Sequence, residues 1–375
     1  MNIQMVDLKG QYEKIKREID SEIQNVIDST AFINGPKVQE FANNLSKYLD
    51  GINVVPCANG TDALQIALMA LGLQPGDEVI VPVHTYVATA EVIALLQLEP
   101  VFVDVHPIYF TIDVNQIENI ITSNTKVIVP VHLYGQCADM ESIMKIAKKY
   151  NLFVVEDTAQ AIGADYSFSN GAKQKAGTIG DIGTTSFFPS KNLGCYGDGG
   201  AMFVKDNDLA KKCKMIANHG QSIKYHHDII GCNSRLDTIQ AAVLNVKLKY
   251  LDNYCEARQD AAKIYDELLK DISKIEIPQV ANYTNHVYHQ YTLLLADSIN
   301  RNELQDYLKE NGIPSMIYYP VPLHNQKAYI KTDGESFPVT EKLSESVLSL
   351  PIHTEITREE QEFIVSSIIT FLSKQ

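Results

Sequence analysis

Four short runs, EVIVPV (78–83), PVFVDV (100–105), KVIVPVHLYG (126–135) and FVVED (153–157), are largely apolar and are separated by stretches of helical periodicity. A strand covered on one face alternates apolar and polar residues, whereas one covered on both faces reads as a continuous apolar run. The pattern therefore predicts a mainly parallel sheet between two layers of helix, with helices over about 89–96, 114–122 and 139–150. Ligands of such sheets gather at the carboxyl ends of the strands. Residues 84–86, 157–160 and Lys191 all lie at or just past such ends.

Upstream, helical periodicity over 9–30 and 36–49 is interrupted at Asn34-Gly35-Pro36, where glycine and proline end one helix and open the next. A short β-run then meets the turn Asn59-Gly60-Thr61-Asp62, and a helix rich in alanine and leucine runs to Leu71. The stretch GDIGTTSFFPSKNLGCYGDGGAMFVK (180–205) reads as a β-run over 182–188, a polar turn holding Lys191, a reversal through Gly194, Gly197, Gly199 and Gly200, and a β-run over 201–204. One long helical stretch is expected over about 238–271, then a strand over 290–295, a helix over 301–311 and a terminal helix from Thr357. At 375 residues the chain exceeds one small domain, and a large domain over 1–245 with a smaller α/β domain over 246–375 is expected.

The formal net charge of -14 argues against nucleic acid or an anionic membrane as the main partner, because either would repel such a surface. A small anion remains admissible, since backbone N–H groups hold a phosphate whatever the total charge. Cys57, Cys137, Cys195, Cys213, Cys232 and Cys255 form no CxxC pair, which fits reduced thiols and neither a disulfide framework nor a metal site. The opening MNIQMVDLKGQYEKIKREID is charged and helical, unlike a signal peptide, and no apolar run approaches the ~20 residues that span a bilayer. A cytoplasmic protein is expected.

Three stretches hold candidate chemistry. Lys191, just after a buried strand and beside small and hydroxyl residues, is placed to lose solvent and release its proton, as a covalent-catalysis lysine must, although most loop lysines are solvated charges. Asp157 at a strand end needs a cation or several donors, and it could equally cap a helix. Gly60 and Thr61 open a helix whose free N–H groups and dipole suit an anion, while Thr61 and Asp62 could simply cap it.

The motifs NGTDAL, HTYVAT, EDTAQAIGA, SFFPSKNLG, GDGGAM and GCNSRLDTIQAA, in this order along nearly the whole chain, closely resemble the DegT/DnrJ/EryC1/StrS sugar aminotransferases. Those enzymes use pyridoxal 5'-phosphate (PLP) on an aspartate-aminotransferase-like α/β fold, the type I PLP fold. The resemblance implies that Lys191 forms the Schiff base and shuttles the proton, Asp157 keeps the pyridine nitrogen protonated, Gln160 bonds the ring hydroxyl and Tyr86 stacks on the ring. It gives the phosphate to Gly60, Thr61 and Ser186, and to Asn233 of a neighbouring subunit, hence a homodimer with shared sites. Tyr86 and Ser186 also read as an ordinary core aromatic and a strand hydroxyl, Asn233 as a turn residue and Arg235 as an ion-pair partner.

Relatives with histidine in place of the lysine perform dehydration; this chain keeps the lysine, and transamination from L-glutamate to a nucleotide-linked keto-6-deoxyhexose is expected. HVYHQYTL and SMIYYPVPLHNQKAY look most like members that convert dTDP-3-keto-6-deoxyhexoses to 3-amino-3,6-dideoxyglucose or -galactose for surface polysaccharide such as O-antigen or S-layer glycan. A 4-keto acceptor of the perosamine type, and a sensor that binds a nucleotide sugar without catalysis, are the alternatives. His219, Tyr225, His226, Arg235, Tyr318 and His324 are candidates for the sugar-nucleotide pocket, and His132 and His289 are read as structural.

Overall fold

The computed structural model describes residues 3–329 and 335–374, so the outermost limits of the expected domains, 1 and 375, lie outside the described residues. Helices α1 (Leu8–Ser29) and α2 (Pro36–Tyr48) lead into β1 (Asn53–Cys57) and α3 (Gly60–Leu71). Alternation continues through β2 (Glu78–Pro82), α4 (Ala88–Leu95), β3 (Glu99–Val103), α5 (Val114–Ile120), β4 (Thr125–Ile128), α6 (Met140–Tyr150) and β5 (Phe153–Asp157). A hairpin of β6 (Asp165–Ser167) and β7 (Lys173–Lys175) precedes β8 (Ile182–Ser186) and β9 (Gly200–Val204). Then follow α7 (Asn207–Ala217), the hairpin of β10 (Gln221–Ile223) and β11 (His226–His227), α8 (Thr238–Leu248) and α9 (Leu251–Leu269). The remainder holds β12 (Ile275–Glu276), β13 (Tyr291–Leu295), α10 (Arg301–Glu310), α11 (Pro338–Ser346), β14 (Val347–Leu350) and α12 (Arg358–Leu372).

The central sheet has seven strands in the order β1-β9-β8-β5-β4-β2-β3. Its middle is parallel, as the apolar runs predict, and β9 alone runs against its neighbours β1 and β8. Burial explains the continuous runs. Ile80, Ile128 and Val154 point to the core under Phe41, Leu45, Ile143 and Leu244 of α2, α6 and α8, whereas Val79, Val81, Val127 and Val155 face Ala63, Ile66, Val92 and Ile216 of α3, α4 and α7. Successive side chains alternate between two buried faces, so a polar residue is accommodated on either face only where hydrogen bonds satisfy it.

A second sheet, β12-β13-β14, is antiparallel and packs Leu293, Leu348 and Leu350 against Tyr265, Leu304 and Ile364 from α9, α10 and α12. The single helix expected over 238–271 is two, with the break at Lys249 and Tyr250. No glycine or proline marks the break. Packing imposes it, since α8 is buried through residues 241–247 while α9 serves the main core with Leu251 and Cys255 and the C-terminal core with Tyr265 and Leu269. Two further differences are local. The regular strand of the run from 126 ends at Ile128, although single pairings continue along it to the parallel Val131–Asp157 bridge, and α7, with Asp206 as N-cap accepting from Leu209 N at 2.7 Å, was not anticipated.

Candidate active site

Asn59 follows β1 and caps α3, its side chain accepting from Asp62 N at 2.8 Å, so neither Thr61 nor Asp62 is the cap. The N–H groups of Gly60 and Thr61 therefore open the helix without intrahelical acceptors, at the positive end of its dipole. Side chains are excluded here by close approach. A Cβ on Gly60 would fall 2.7 Å from Ser186 Cβ, and one on Gly200 would fall 2.3 Å from the Asn59 carbonyl oxygen. The ends of β1 and β8 and the start of β9 thus form a backbone-lined cradle with the Ser186 hydroxyl beside it, the surroundings a phosphate group requires.

Asp157 ends β5 and is 6 % exposed. Its Oδ2 accepts from Thr89 Oγ1 at 2.9 Å and its Oδ1 from Ala159 N at 3.1 Å, and among the described residues no cation forms an ion pair with it. Gln160 lies in the following turn. The Tyr134 N–H can only donate, and its 2.7 Å bond identifies the Gln160 oxygen; the amide nitrogen then faces Tyr319 Oη at 3.0 Å. Gln160 consequently presents a donor, which suits an anionic ring oxygen.

Lys191 occupies the connection between β8 and β9, its N–H bonded to Phe188 O at 2.9 Å. Asn192 anchors the turn from below through Nδ2 to Val287 O at 3.0 Å. Burial lowers the Lys191 amine to about 8, and the nearby Asp157 charge only partly opposes the shift. The amine therefore gives up its proton more readily than an ordinary lysine, with half of it in the free-base form at about pH 8. Tyr86, in the loop after β2, is 56 % exposed in the single chain, with its ring centroid 6.1 Å from that of Tyr319.

The remaining expected residues are dispersed. His219, Tyr225 and His226 stand exposed in the β10–β11 region, where Tyr225 N donates to Gln221 Oε1 at 2.8 Å, His227 Nδ1 donates to His219 O at 2.8 Å and His219 N donates to Cys232 O at 2.8 Å. Asn233 is likewise exposed. Arg235 bonds Asn218 Oδ1 at 3.4 Å and lines a cavity of about 710 Å³ with Ser234 and Lys214, whose walls include neither Lys191 nor Asp157. His324 is buried, with Nε2 3.3 Å from Glu341 Oε1 and its ring against Phe337. The Tyr318 carbonyl accepts from the Tyr134 hydroxyl.

Sequence reasoning passed over Thr89, Tyr134 and Tyr319. Thr89 lies within HTYVAT and Tyr319 directly follows Tyr318, but nothing in the residue pattern says which tyrosine of that pair turns toward Gln160. His132 is structural as expected: its Nδ1 accepts from Ala138 N at 3.1 Å, so Nε2 donates to Glu156 at 2.9 Å.

The three-layer fold, with a lysine of lowered basicity near a carboxylate and a glycine-lined cradle at its strand ends, is that of a pyridoxal-phosphate-dependent aminotransferase. The chain matches the DegT/DnrJ/EryC1/StrS aminotransferase family over residues 13–369 and belongs to it. It is 45% identical over 376 residues to a Geobacillus stearothermophilus protein named pleiotropic regulatory protein, covering 99% of each chain. It is also 45% identical to the UDP-2-acetamido-2-deoxy-3-oxo-D-glucuronate aminotransferase of Pseudomonas aeruginosa (94% of this chain, 95% of that one). Identity to the dTDP-3-amino-3,6-dideoxy-alpha-D-galactopyranose transaminase of Aneurinibacillus thermoaerophilus is 41%, over 98% of both. Among solved structures, a DegT DnrJ EryC1 StrS aminotransferase from Brucella abortus superposes with a TM-score of 0.92 at 42% identity, covering 98% of this chain and 99% of that one. The protein is a sugar aminotransferase with PLP as its cofactor. Among the described residues, no helix is long and apolar enough to cross a membrane.

Proposed function

We propose that this enzyme moves the amino group of L-glutamate to carbon 3 of a nucleotide-linked keto-hexose, with dTDP-3-keto-6-deoxyhexose as the acceptor and dTDP-3-amino-3,6-dideoxyglucose or -galactose as the product. The observation that carries the chemistry is the Lys191 amine, lowered to about 8 by burial and placed near Asp157 at the strand ends. For carbon 3, the support is that two relatives at 41% and 45% identity bear names that place the oxo or amino group there.

When bound, PLP supplies the electron sink that makes the donor's α-hydrogen acidic. The chain's own residues do the rest. Lys191 Nζ would hold the cofactor covalently at rest and, once released, would take the proton from the donor's α-carbon and act as its carrier. Asp157 keeps a proton on the ring nitrogen, with Thr89 and Ala159 fixing the carboxylate. Gln160 Nε2 donates to the ring oxygen, Tyr86 covers the ring, and Gly60, Thr61 and Ser186 hold the phosphate. Asn233 of a second copy completes that cradle in a homodimer. His219, Tyr225, His226, Arg235, Tyr318 and His324 are the proposed sugar-nucleotide contacts. The exposed β10–β11 hairpin and Asn233 would serve the neighbouring subunit, in accord with their distance in sequence and contacts from Lys191. A large unit over 1–245, a small one over 246–375 and a cytoplasmic location complete the reading.

Borohydride reduction of the PLP-loaded protein should place the label on Lys191 in a peptide map. Incubation with glutamate and a panel of dTDP- and UDP-linked 3-keto and 4-keto sugars, followed by NMR, should give amination at carbon 3. Amination at carbon 4 alone would reject the acceptor, and no turnover of any sugar by folded, PLP-loaded, unreduced protein would favour the sensor. Mixing Lys191→Ala with Asn233→Ala chains should restore activity that neither has alone, and failure to do so would reject the shared site.

A further inference from the structure

Gln160 is held at both ends of its amide, and the two holders are themselves joined. The Tyr134 N–H occupies Oε1 at 2.7 Å, and the Tyr319 hydroxyl accepts from Nε2 at 3.0 Å. The Tyr134 hydroxyl, buried, donates to the Tyr318 carbonyl and lies 3.2 Å from His84 Nε2. The contacts close into a ring, from Gln160 through Tyr134 to the 318–319 backbone and through the Tyr319 side chain to Gln160 again. One side of the ring belongs to the turns after β4 and β5. The other is a segment about 160 residues later, which is also seated by the Met316–Ser349 bridge to the C-terminal sheet and by the Leu323 N–H to Val83 O bond at 3.3 Å.

We infer that Tyr319 is a positioning residue for Gln160, tying the seating of the C-terminal segment to the direction of the amide N–H that the cofactor ring oxygen receives. A primary amide has two N–H bonds, and Tyr319 takes one, so the amide plane is fixed and the other N–H has one direction left. Burial also keeps the Tyr319 phenol protonated, with the Gln160 bond opposing and the Asp157 charge assisting, so the hydroxyl acts as acceptor toward Gln160 and retains its own proton. Its ring stands 6.1 Å from both Tyr86 and His84, on the side where Tyr86 is exposed. This inference rests on the reading that PLP binds at Lys191.

The test is a thermodynamic cycle on cofactor affinity. Wild type, Tyr319→Phe, Gln160→Met and the double variant are prepared as apoproteins, confirmed folded by circular dichroism, and titrated with PLP. Each single change should weaken binding about fivefold to tenfold, the range of one hydrogen bond. The double should be no weaker than Gln160→Met alone, because Tyr319 acts through the amide. Tyr134→Phe, which frees the Tyr318 carbonyl, should weaken PLP binding in the same direction and raise hydrogen exchange over 315–325; it serves as the second route if Tyr319→Phe fails to fold. An unchanged affinity for Tyr319→Phe, or a double whose loss is the product of the singles, would overturn the inference. A wild type that takes up no PLP would instead sink the cofactor reading, before any variant is compared.

Discussion

Glu156 and Asp157 are neighbours on β5 and face opposite sides of the central sheet, one carboxylate closed and the other open. Glu156 is fully buried and accepts four hydrogen bonds, from His132 Nε2 (2.9 Å), Gly177 N (2.9 Å), Ile179 N (2.7 Å) and Gly180 N (2.6 Å). Burial alone would push its carboxyl up, but the His132 hydrogen bond and the backbone donors outweigh it and hold it below the usual range. Asp157 has two donors and keeps lone pairs unclaimed. A carboxylate whose lone pairs are filled by the fold serves the fold; one left open at a strand end is available to a ligand.

This contrast breaks if the two residues respond alike. The largest effect is expected for Asp157→Asn, whose kcat/KM should fall about 10³-fold or more, roughly 4 kcal/mol of transition-state stabilisation, while the melting temperature of the apoprotein barely moves. Glu156→Ala should do the reverse. Leaving three buried N–H groups and His132 unpaired should cost about 3–5 kcal/mol in urea unfolding. If Asp157→Asn destabilises as strongly as Glu156→Ala, the distinction fails.

Acidity sharpens the comparison. Because the Glu156 pKa is depressed in the fold, its stabilisation is present above the unfolded glutamate value of about 4.3 and is lost as pH falls through the folded value. Lys191, whose pKa is also depressed in the fold, gives the same sign in an alkaline window, through a charged form that the fold disfavours. Below pH 8 its amine is charged in both states and its burial is a constant cost. Between about 8 and about 10.4 only the unfolded chain still binds that proton, so apoprotein stability should rise with pH. Urea midpoints between pH 7 and 10 should show the rise in wild type, roughly 1–2 kcal/mol, and lose it in Lys191→Met. The smallest change is expected for Thr89→Val, which removes one donor to Asp157 and should lower kcat about threefold to tenfold, the range of one hydrogen bond, with KM for the sugar little altered.

Much of the site was legible because its parts sit where chain direction changes. Lys191, Asp157, Gln160 and the Gly60 turn each follow a strand, and local residue types declare those ends. What was not legible depended on which way neighbouring residues turned. Tyr318 was singled out from IYYP, yet the Tyr319 side chain reaches Gln160 while Tyr318 contributes its carbonyl. Arg235, grouped with the sugar contacts, lines a cavity separate from Lys191 within one chain. The break between α8 and α9 left no glycine or proline to find, because two cores compete for the same helical stretch.

The sequence by itself determined that a parallel sheet lies between two helical layers and that chemistry gathers at its carboxyl edge, since burial period and strand ends are written in adjacent residues. Only the tertiary structure decided that Glu156 is saturated, that Asp157 is open and that Tyr319 meets Gln160. Those outcomes are contacts between segments remote along the chain, and their distances are set by how sheet, helices and C-terminal segment pack together.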